Sequence, residues 1–566
     1  MKKIITAVAG VMCASALTFG AAFAAGCNDN NDVETYTVNF VTYTTSSISP
    51  VTVEAGEKVT APSTPTNDNY DFVGWYTDAA LTTRYEFSSS VTSNITLYAK
   101  WELKTPATTT PDEEVTEIIF NGETIILSEH ALYVNQSLID SQTGEYAFNS
   151  LEECVASTDG GTKDNPVVIY LAPDVYWTDD PDDTEIRPSD DLIGLEIPQS
   201  YITLMGMTDS YEDTVLASNR GQNTGANGNY NTVGVGEGFS AYNITFGNYC
   251  NIDLVYPRDT SKNREKRAGG IVQAQVITDA SNAESTDMRY YENCAFMSRL
   301  NTIFTSSDRE VYNNCHIECT DDALGMQNIG IYLNCTFDLY STTPVGSGGR
   351  VLMAFLGCKF TTHLDNSTDK IVRFSKHTYY YAFMDCDFAG DMLGMAWLNA
   401  NSTYSDDMRN IVYNNTLNGT PLEIDPDHSE ISYYIDGGNQ EFTAFKVGNE
   451  YNVYNLVNYG SLVDWDPLEQ RDTMEDYLAP FGIKFSVDGD TTFAGDSVTS
   501  RTITPIIYGY NENTKIEWSV DNTDMVTLVT NSDGTATITA ENYTFVDTTV
   551  CITAEASNGL KFVIHL

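Results

Sequence analysis

The chain has 566 residues, and its 79 acidic and 29 basic side chains give a formal net charge of −50. This charge excludes a protein that binds nucleic acid through bulk positive charge, because a polyanion would be repelled. A hydrophobic content of 42% excludes a disordered chain, and the 35 Tyr and 39 Gly residues favour β-structure with many turns.

The first segment has the composition of a secretory signal. Two lysines precede an apolar stretch over 4–23, and the tetrapeptide AAGC follows at 24–27. This tetrapeptide resembles a bacterial lipobox with Ala24 in place of the usual Leu, and the resemblance implies lipidation of Cys27. Ordinary cleavage beside an incidental Cys27 is the alternative. We expect a signal peptide over 1–26 and an extracellular protein, lipid-anchored to the outer face of the bacterial cell membrane.

Residues 34–103 are predicted to form a small β-module, because polar and apolar residues alternate over 36–40 and 96–101. The segments FVGWYTD at 72–78 and ITLYAKW at 95–101 closely resemble the Listeria–Bacteroides repeat of internalin B type. The resemblance implies a β-grasp-like spacer or adhesive unit. A linker rich in Thr, Pro and acidic residues follows over 104–115.

The central region, 116–440, contains a repeated motif. Asn-Cys, Gly-Cys or Asp-Cys is followed two residues later by Phe or Ile, and the five cysteines are spaced by 21, 20, 23 and 28 residues. A short strand at a period near 21 predicts stacked coils, so we expect an all-β chain built on a right-handed parallel β-helix. Each Cys then faces the core, since one Cys per coil gives a line and not a metal cluster. Whether Cys315 and Cys319 form a disulfide stays open.

The C-terminal region is predicted to be a separate β-domain. Residues 484–566 contain short alternating runs, such as ATITA at 536–540 and CITAE at 551–555. The pattern resembles bacterial Ig-like domains, which implies a β-sandwich that serves as a stalk or contacts carbohydrate. Residues 441–483 are predicted to be a connection packed against the central region.

The region 140–420 resembles pectin methylesterases, which are carbohydrate esterases on a parallel β-helix. The matching segments occur in the family's order, and the clearest are VVIYLAPDVY at 167–176 and GFSAYNITF at 238–246. The resemblance implies demethylation of methyl-esterified galacturonan without a metal or other cofactor. The implied partner is pectin or a related plant cell-wall polysaccharide.

The catalytic motifs of that family match in part. CTDDALG at 319–325 resembles the family's GTVDFIFG, which implies Asp322 as the nucleophile, and IVRFS at 371–375 resembles LGRPW, which implies that Arg373 orients it. QAQ at 273–275 resembles the QAV strand, which implies Gln273 as an oxyanion donor, with Gln275 as a substrate-binding candidate.

Two further positions complete the candidate substrate-binding set. Ser375 stands where the family has a substrate-binding Trp, and Trp397 is a further candidate.

The segment RLNTI at 299–303 departs from the family's YQDTL. Leu300 replaces the second oxyanion Gln, and Asn301 replaces the acid/base Asp. The spacing of 21 from Asn301 to Asp322 is one coil, so the two should be neighbours. Because Asn cannot transfer protons, activity should fall by about 10²–10⁴-fold unless His316, Asp321 or His377 acts as a replacement acid.

The candidate residues also have structural interpretations. Asp322 could be a coil-corner residue, Arg373 a surface charge and Gln273 part of a solvated strand. Five cations crowd residues 258–267. Arg264 and Arg267 among them are candidates to bind galacturonate carboxylates, and a solvated loop is the alternative.

Two other functions remain open at this point. A non-catalytic surface protein that binds glycans is consistent with the flanking modules and with Asn301. A pectate-lyase-like enzyme would need clustered carboxylates for Ca²⁺, such as Asp321 and Asp322, and Arg373 as its base.

Overall fold

The computed structural model describes residues 34–44, 48–67, 70–79, 81–103, 113–283, 285–325, 327–344, 351–364, 368–374, 381–397, 411–422, 433–434, 444–458, 463–489, 499–509, 514–540, 549–557 and 561–565. The expected signal peptide, Cys27, Ser375 and His377 lie outside these residues. The chain divides into two compact units, Met1–Thr105 and Pro106–Leu566. Within the described part, no helix has the length and hydropathy needed to cross a membrane.

The first unit contains a four-stranded sheet. Its strands, in spatial order, are Val51–Glu54, Thr35–Val41, Ile95–Leu103 and Tyr70–Tyr76. The two central strands pair in parallel, and each outer strand pairs antiparallel with its neighbour. Trp75 is buried on one face of this sheet, where the rings of Phe40 and Phe72 meet it edge-on at 5.1 and 5.4 Å.

Three sheets of stacked, parallel strands form the body of the second unit. Sheet 1 consists of Val175–Trp177, Val215–Ser218, Thr245–Asn248, Ala295–Leu300, His316–Asp321, Thr336–Leu339, Lys359–Thr362, Asp387–Gly390 and Thr416–Leu417, with Thr420–Pro421 added antiparallel. Sheet 2 consists of Ile193–Ile197, Tyr230–Val235, Ala274–Asp279, Ile303–Phe304 and Leu324–Gly325. Sheet 3 consists of Ala147–Phe148, Ala131–Val134, Val167–Leu171, Ile202–Gly206, Ser240–Tyr242, Arg289–Glu292, Arg309–Asn313, Ile329–Leu333, Leu352–Leu356, Tyr381–Met384, Ile411–Tyr413 and Tyr433–Tyr434. Over 193–325 the chain visits the three sheets in turn, and later coils continue sheets 1 and 3. The prediction of an all-β parallel β-helix is confirmed.

The repeated Asn-Cys motif marks one corner of each coil. Asn293, Asn314 and Asn334 have φ values of 50°, 53° and 53°, in the left-handed region that Asn tolerates better than most residues. Gly357 and Asp385 take the same conformation in later coils, at 64° and 54°. The corner therefore explains why Asn, Gly or Asp precedes each Cys.

The cysteine of each motif is buried beside the core of the β-helix. All five motif thiols are buried and unpaired, and Cys315 and Cys319 are both free. Burial raises the pKa of the Cys294, Cys315 and Cys335 thiols well above the usual value, since the thiolate would be desolvated. The aromatic residue two positions later stacks from coil to coil, with ring centroids 4.5 Å apart for Phe360 and Phe388.

Short elements flank the coils. The helices are Leu151–Ala156, Val453–Val457 and Arg471–Met474, and the 3₁₀ turns are Tyr211–Asp213, Thr260–Lys262 and Glu475–Tyr477. The minor strand pairs are Glu117–Phe120 with Glu123–Ile126, Gly221–Gln222 with Gly225–Ala226, Ile371–Phe374 with Gly394–Trp397, and Lys446–Val447 with Glu450–Tyr451.

The segment that follows the β-helix packs against the outer face of sheet 3. Val453, Leu456 and Phe481 share a hydrophobic cluster with residues of that sheet. The fully buried Arg309 forms an ion pair with Asp287 at 2.6 Å and donates hydrogen bonds to backbone carbonyls of residues 457 and 463. The hydrogen bonds donated by the charged Arg309 guanidinium hold the segment against the coils.

Two antiparallel sheets form the C-terminal region. One consists of Pro480–Val487, Thr499–Gly509, Ala536–Ala540 and Val526–Thr530, and the other of Ile516–Val520, Cys551–Ala556 and Lys561–His565. Side chains of both sheets share one hydrophobic cluster, to which Ile503 and Ile538 contribute from the first sheet and Ile552 from the second. Membership in the bacterial Ig-like class stays a prediction.

Candidate functional site

Asn301 and Asp322 occupy equivalent corners of successive coils. Leu300 is opposite Asp321 in sheet 1, and Ile303 is opposite Leu324 in sheet 2, so the two corners are in register. Neighbouring coils lie about 4.8 Å apart. The φ values of Asn301 and Asp322 are 56° and 47°, a left-handed conformation that Asn and Asp adopt more readily than most residues.

The Asn301 amide is almost fully enclosed. The residue is 5% exposed, and its Oδ1 has no hydrogen-bond partner among the described residues. A buried carbonyl without a partner costs about 1–3 kcal/mol. A contact with a ligand is one explanation for such an atom, and the motif resemblance at this corner makes Asn301 a candidate for it, although Thr305 and Gln327 carry such atoms as well. Asp322, one coil on, is half-buried.

Asp321 precedes the corner and is held by the next coil. Its Oδ1 accepts a hydrogen bond from Thr343 Oγ1 at 3.0 Å, and the Ala323 amide donates to the Pro344 carbonyl at 3.0 Å. Asp321 therefore provides a second carboxylate close to the corner, already engaged by a hydroxyl.

Arg373 lies further along the same side of the β-helix. Its backbone amide donates to the Thr342 carbonyl at 2.7 Å, which places its strand next to the segment that stacks on Asp321. Arg373 is therefore two coils beyond Asp321, which corresponds to about 10 Å between their backbones. The guanidinium pairs with Asp369 at 2.5 Å and donates to the Ile371 carbonyl at 2.9 Å.

Ser375 and the Trp397 side chain lie outside what the structure describes. The backbone of Trp397 ends the strand Gly394–Trp397, where it pairs with Phe374.

Gln275, rather than Gln273, lies in line with Asn301 and Asp322 when successive coils are aligned by strand register. We call this line of equivalent positions the backbone column. Ile277 is opposite Ile303, and Gln275 stands two residues before Ile277 as Asn301 does before Ile303. Gln275 is 3% exposed. Gln273 precedes the strand and is half-buried, and its backbone carbonyl accepts a hydrogen bond from the backbone N–H of Gln222 at 2.8 Å.

The column continues to a residue that sequence reasoning missed. Asn231 is opposite Gln275 in sheet 2, is buried, and has an Oδ1 without a hydrogen-bond partner among the described residues. The motif comparison could not find it, because the matching family segments do not include residues 229–233. Its position follows from the strand register alone.

Four of the five cations at 258–267 are engaged within the protein. Arg258 pairs with Asp213 at 2.9 Å, and Lys262 pairs with Asp174. Arg264 pairs with Asp182 and lies over the Trp177 ring. Arg267 donates to Asn219 Oδ1 at 3.3 Å and to the Asp183 backbone carbonyl at 3.0 Å. These contacts attach the 249–273 segment to earlier coils. Binding of galacturonate carboxylates by Arg264 and Arg267 stays a prediction.

A groove of about 390 Å³ lies on the outer face of sheet 1. The strand Ala295–Leu300 shifts register around Arg299, whose φ is 98°. The Arg299 guanidinium pairs with Glu318 at 2.9 Å and lies 3.9 Å from the Tyr340 ring centroid. We name this the sheet 1 groove. Its lining includes Glu212, Tyr249, Asp253, Val255, Met297, Arg299, His316 and Glu318.

His316 is too far from the corner to act as a replacement acid for Asn301. It stands six residues before Asp322 on an extended strand, a separation of about 20 Å. Its Nδ1 is 2.9 Å from Thr336 Oγ1, and its Nε2 is 3.6 Å from Asp338. Among the described residues, no three His, Cys, Asp or Glu side chains are arranged to hold a metal ion.

Residues 36–100 match the sequence model of the Listeria-Bacteroides repeat domain, so the expectation from the Trp-containing segments is confirmed. Two membrane proteins of Evansella cellulosilytica, one of them Gly-rich, are 40% and 38% identical over 73 residues. A protein of Arabidopsis thaliana named as a pectinesterase/pectinesterase inhibitor is 25% identical over 219 residues, or 38% of this chain. The chain spans only 11%, 8% and 34% of the lengths of these three relatives.

Solved structures of pectin methylesterases are also similar to the chain. A mutant in complex with a hexasaccharide is 17% identical, with a TM-score of 0.36, over 54% of this chain and 93% of its own. The Aspergillus niger enzyme is 17% identical, with a TM-score of 0.35, over 54% and 91%. The Erwinia chrysanthemi enzyme is 16% identical, with a TM-score of 0.29, over 54% and 89%. The chain thus combines a Listeria-Bacteroides repeat with a separate parallel β-helix.

Proposed function

We propose that the β-helix is a pectinesterase-like carbohydrate esterase that removes methyl groups from methyl-esterified galacturonan, with Asp322 as its nucleophile. The observation that carries the proposal is the register of Asn301 and Asp322 at one corner of successive coils. The identity of 25% to the Arabidopsis pectinesterase supports the substrate class. We further propose that Arg373 orients Asp322.

The reaction needs one nucleophile and a route for two protons. A carboxylate oxygen of Asp322 attacks the C6 carbonyl carbon, and collapse of the tetrahedral intermediate breaks the bond to the methoxy oxygen. That oxygen takes a proton and leaves as methanol. Water then attacks the acyl-enzyme anhydride, which restores the Asp322 carboxylate and releases the galacturonate carboxylate. Of the two protons that this water gives up, one replaces the proton taken by methanol and the other goes to solvent.

Asn301 can assist this chemistry only by hydrogen bonding. Its amide can donate to the developing oxyanion or to the leaving oxygen, but it cannot supply or accept the proton. The proton must therefore come from water or from a neighbouring carboxyl group such as Asp321. We expect slow turnover for this reason, about 10²–10⁴-fold below an enzyme with a carboxyl group at this corner. Gln275 and Gln273 are the candidate donors to the oxyanion.

The test is methanol release from highly methylated pectin by the full chain. We expect slow release that disappears in Asp322→Ala, while Asp387→Ala, an exposed carboxylate on sheet 1, retains the wild-type rate. No release by the wild-type protein, or equal release by Asp322→Ala, would overturn the esterase proposal. An ultraviolet-absorbing unsaturated product that requires Ca²⁺ would indicate the pectate-lyase alternative.

A non-catalytic glycan-binding protein is the second candidate function. The observation that favours it is Asn301 itself, because a binding protein has no need of a proton donor at this corner. The Listeria-Bacteroides repeat at 36–100 is consistent with surface display. Binding of methylated oligogalacturonides without methanol release, and with affinity unchanged by Asn301→Asp, would support this function over the esterase.

We propose that the protein is held at the outer face of the cell membrane by a lipid on Cys27. The description of two relatives as membrane proteins is consistent with membrane association. Incorporation of a labelled fatty acid into the wild-type protein, lost in Cys27→Ser and kept in Cys13→Ser, is the expected result. A protein released without lipid after ordinary cleavage would contradict it.

A further inference from the structure

We propose that the sheet 1 groove is a binding subsite for an uncharged sugar unit, such as a methyl-esterified uronate, and that it rejects free uronates. The inference deepens the proposed function, on which the identity of the glycan rests. It does not depend on turnover, because binding at the groove is measured separately from methanol release.

The groove has the size and surface of a saccharide site. Its volume of about 390 Å³ lies within the range of small-ligand pockets. In the lining, Met297 is half-buried and Val255 is 70% exposed, whereas Tyr249 is 5% exposed and contributes little ring surface. Apolar side chains can cover the C–H face of a sugar ring, while nearby polar groups bind its hydroxyls.

The charge of the groove disfavours a carboxylate ligand. The Arg299 guanidinium is already paired with Glu318 at 2.9 Å and stacked on the Tyr340 ring, which leaves little positive charge for a ligand. Glu212 and Asp253 also line the groove, and both residues are exposed. A uronate carboxylate would face these negative charges, whereas its methyl ester would not.

The groove and the corner lie within reach of one oligosaccharide. Glu318 stands four residues before Asp322 along the same extended segment, a separation of about 13 Å. A glycan chain with one unit at Asp322 can therefore place a unit further along the same chain, beyond the adjacent one, in the groove. We infer that the site selects stretches in which such nearby units still carry their methyl groups.

Three of the five cations at 258–267 are offset within the protein, because Arg258, Lys262 and Arg264 are each paired with an acidic side chain of an earlier coil. Arg267 donates to neutral oxygens and Lys266 is exposed, but neither residue lines the groove. The acidic side chains of the lining therefore outnumber its one arginine.

Calorimetric titration of the full chain carrying Asp322→Ala tests the inference without turnover. The probes are a fully methylated hexagalacturonate, the unesterified hexagalacturonate and a neutral galactan hexamer. We expect the methylated probe to bind at least tenfold more tightly than the unesterified one at low salt, with a smaller difference at high salt because the repulsion is screened. Equal or tighter binding of the unesterified probe would overturn the inference.

Two groove variants separate binding from folding. Adding Met297→Trp, which fills the groove, should weaken the methylated probe at least tenfold, while Thr361→Trp, exposed on the same sheet three strands away, should leave binding unchanged. The double variant Glu212→Gln and Asp253→Asn removes two exposed negative charges from the groove, so it should improve binding of the unesterified probe. Unchanged binding in both groove variants would overturn the subsite. If the chain with its native Asp322 releases no methanol, galactan binding that Met297→Trp abolishes would support the subsite and contradict the proposed function.

Discussion

The backbones of Asn301 and Asp322 take the same left-handed conformation at one corner of successive coils, with φ values of 56° and 47°. In this arrangement a carboxylate has an amide, and not a second carboxyl group, as its neighbour one coil away. The Asn301 Oδ1 is buried without a hydrogen-bond partner among the described residues, so the corner carries an unsatisfied acceptor next to the candidate nucleophile. The chemistry of the site therefore depends on whether residue 301 offers the substrate a hydrogen bond or a proton.

The substitution Asn301→Asp should raise activity. It places a proton donor and acceptor one coil from Asp322 with almost no change in volume, and general acid–base catalysis contributes about 10²–10⁴-fold. Methanol release at neutral pH measures the gain. Asn301→Ala is the control, since it changes the same corner without supplying a carboxyl group. A folded Asn301→Asp protein that is no faster than wild type would contradict the assignment of this position.

The two glutamines should differ in importance. Gln275 shares the backbone column of Asn301 and Asp322, whereas Gln273 precedes the strand. If Gln275 donates to the oxyanion, Gln275→Ala should lower kcat by about 10²–10³-fold. Gln273→Ala should then change kcat by less than about threefold. The opposite result in a single-turnover assay would assign the oxyanion role to Gln273.

The fold could be predicted because the geometry of each coil requires particular residue types within a short stretch of sequence. A left-handed corner requires Asn, Gly or Asp, and the next inward position requires a small apolar side chain such as Cys. Both demands recur at Asn293 and Cys294, and again about every 21 residues. Local rules of this kind are visible without knowledge of distant contacts.

The site could be predicted only in part, because its details depend on register and on long-range pairs. The one-coil relation between Asn301 and Asp322 follows from their spacing, but the column position of Gln275 depends on strand pairing. The pairing of Lys262 with Asp174 joins residues 88 positions apart in the chain, which no local pattern reveals. The register shift at Arg299, which helps to shape the sheet 1 groove, is likewise a tertiary feature.

Asp179 should stabilise the protein at neutral pH and lose this effect in acid. Burial alone would raise the pKa of its carboxyl group, but hydrogen bonds from Arg187 and Arg220 outweigh burial and hold the pKa below its usual value. A lowered pKa in the folded state means that the stabilisation is complete above the unfolded-state pKa of about 4, and is lost as the pH falls through the folded-state pKa.

The variant Asp179→Asn measures this contribution. Arg220 is fully buried and would lose Asp179 as a charged partner while keeping Asp183, so we expect the free energy of unfolding to fall by about 1.5–3 kcal/mol at pH 7. Urea unfolding should show a smaller difference from wild type when the pH falls below about 4. Asp182→Asn is the matched control, because that carboxylate is 80% exposed and should change stability by less than about 0.5 kcal/mol.

The buried thiols of the β-helix should resist chemical modification. Burial raises the pKa of Cys319 and Cys358 well above the usual value, so the reactive thiolate is scarce as well as inaccessible. We expect a thiol reagent added to the native protein to label Cys551, which is half-buried, and to spare the motif cysteines until the chain is unfolded. Peptide mass spectrometry before and after denaturation locates the labels. Rapid labelling of Cys335 in the native protein would show that the coils open readily, and the stacked core could not then hold Asn301 and Asp322 in fixed register.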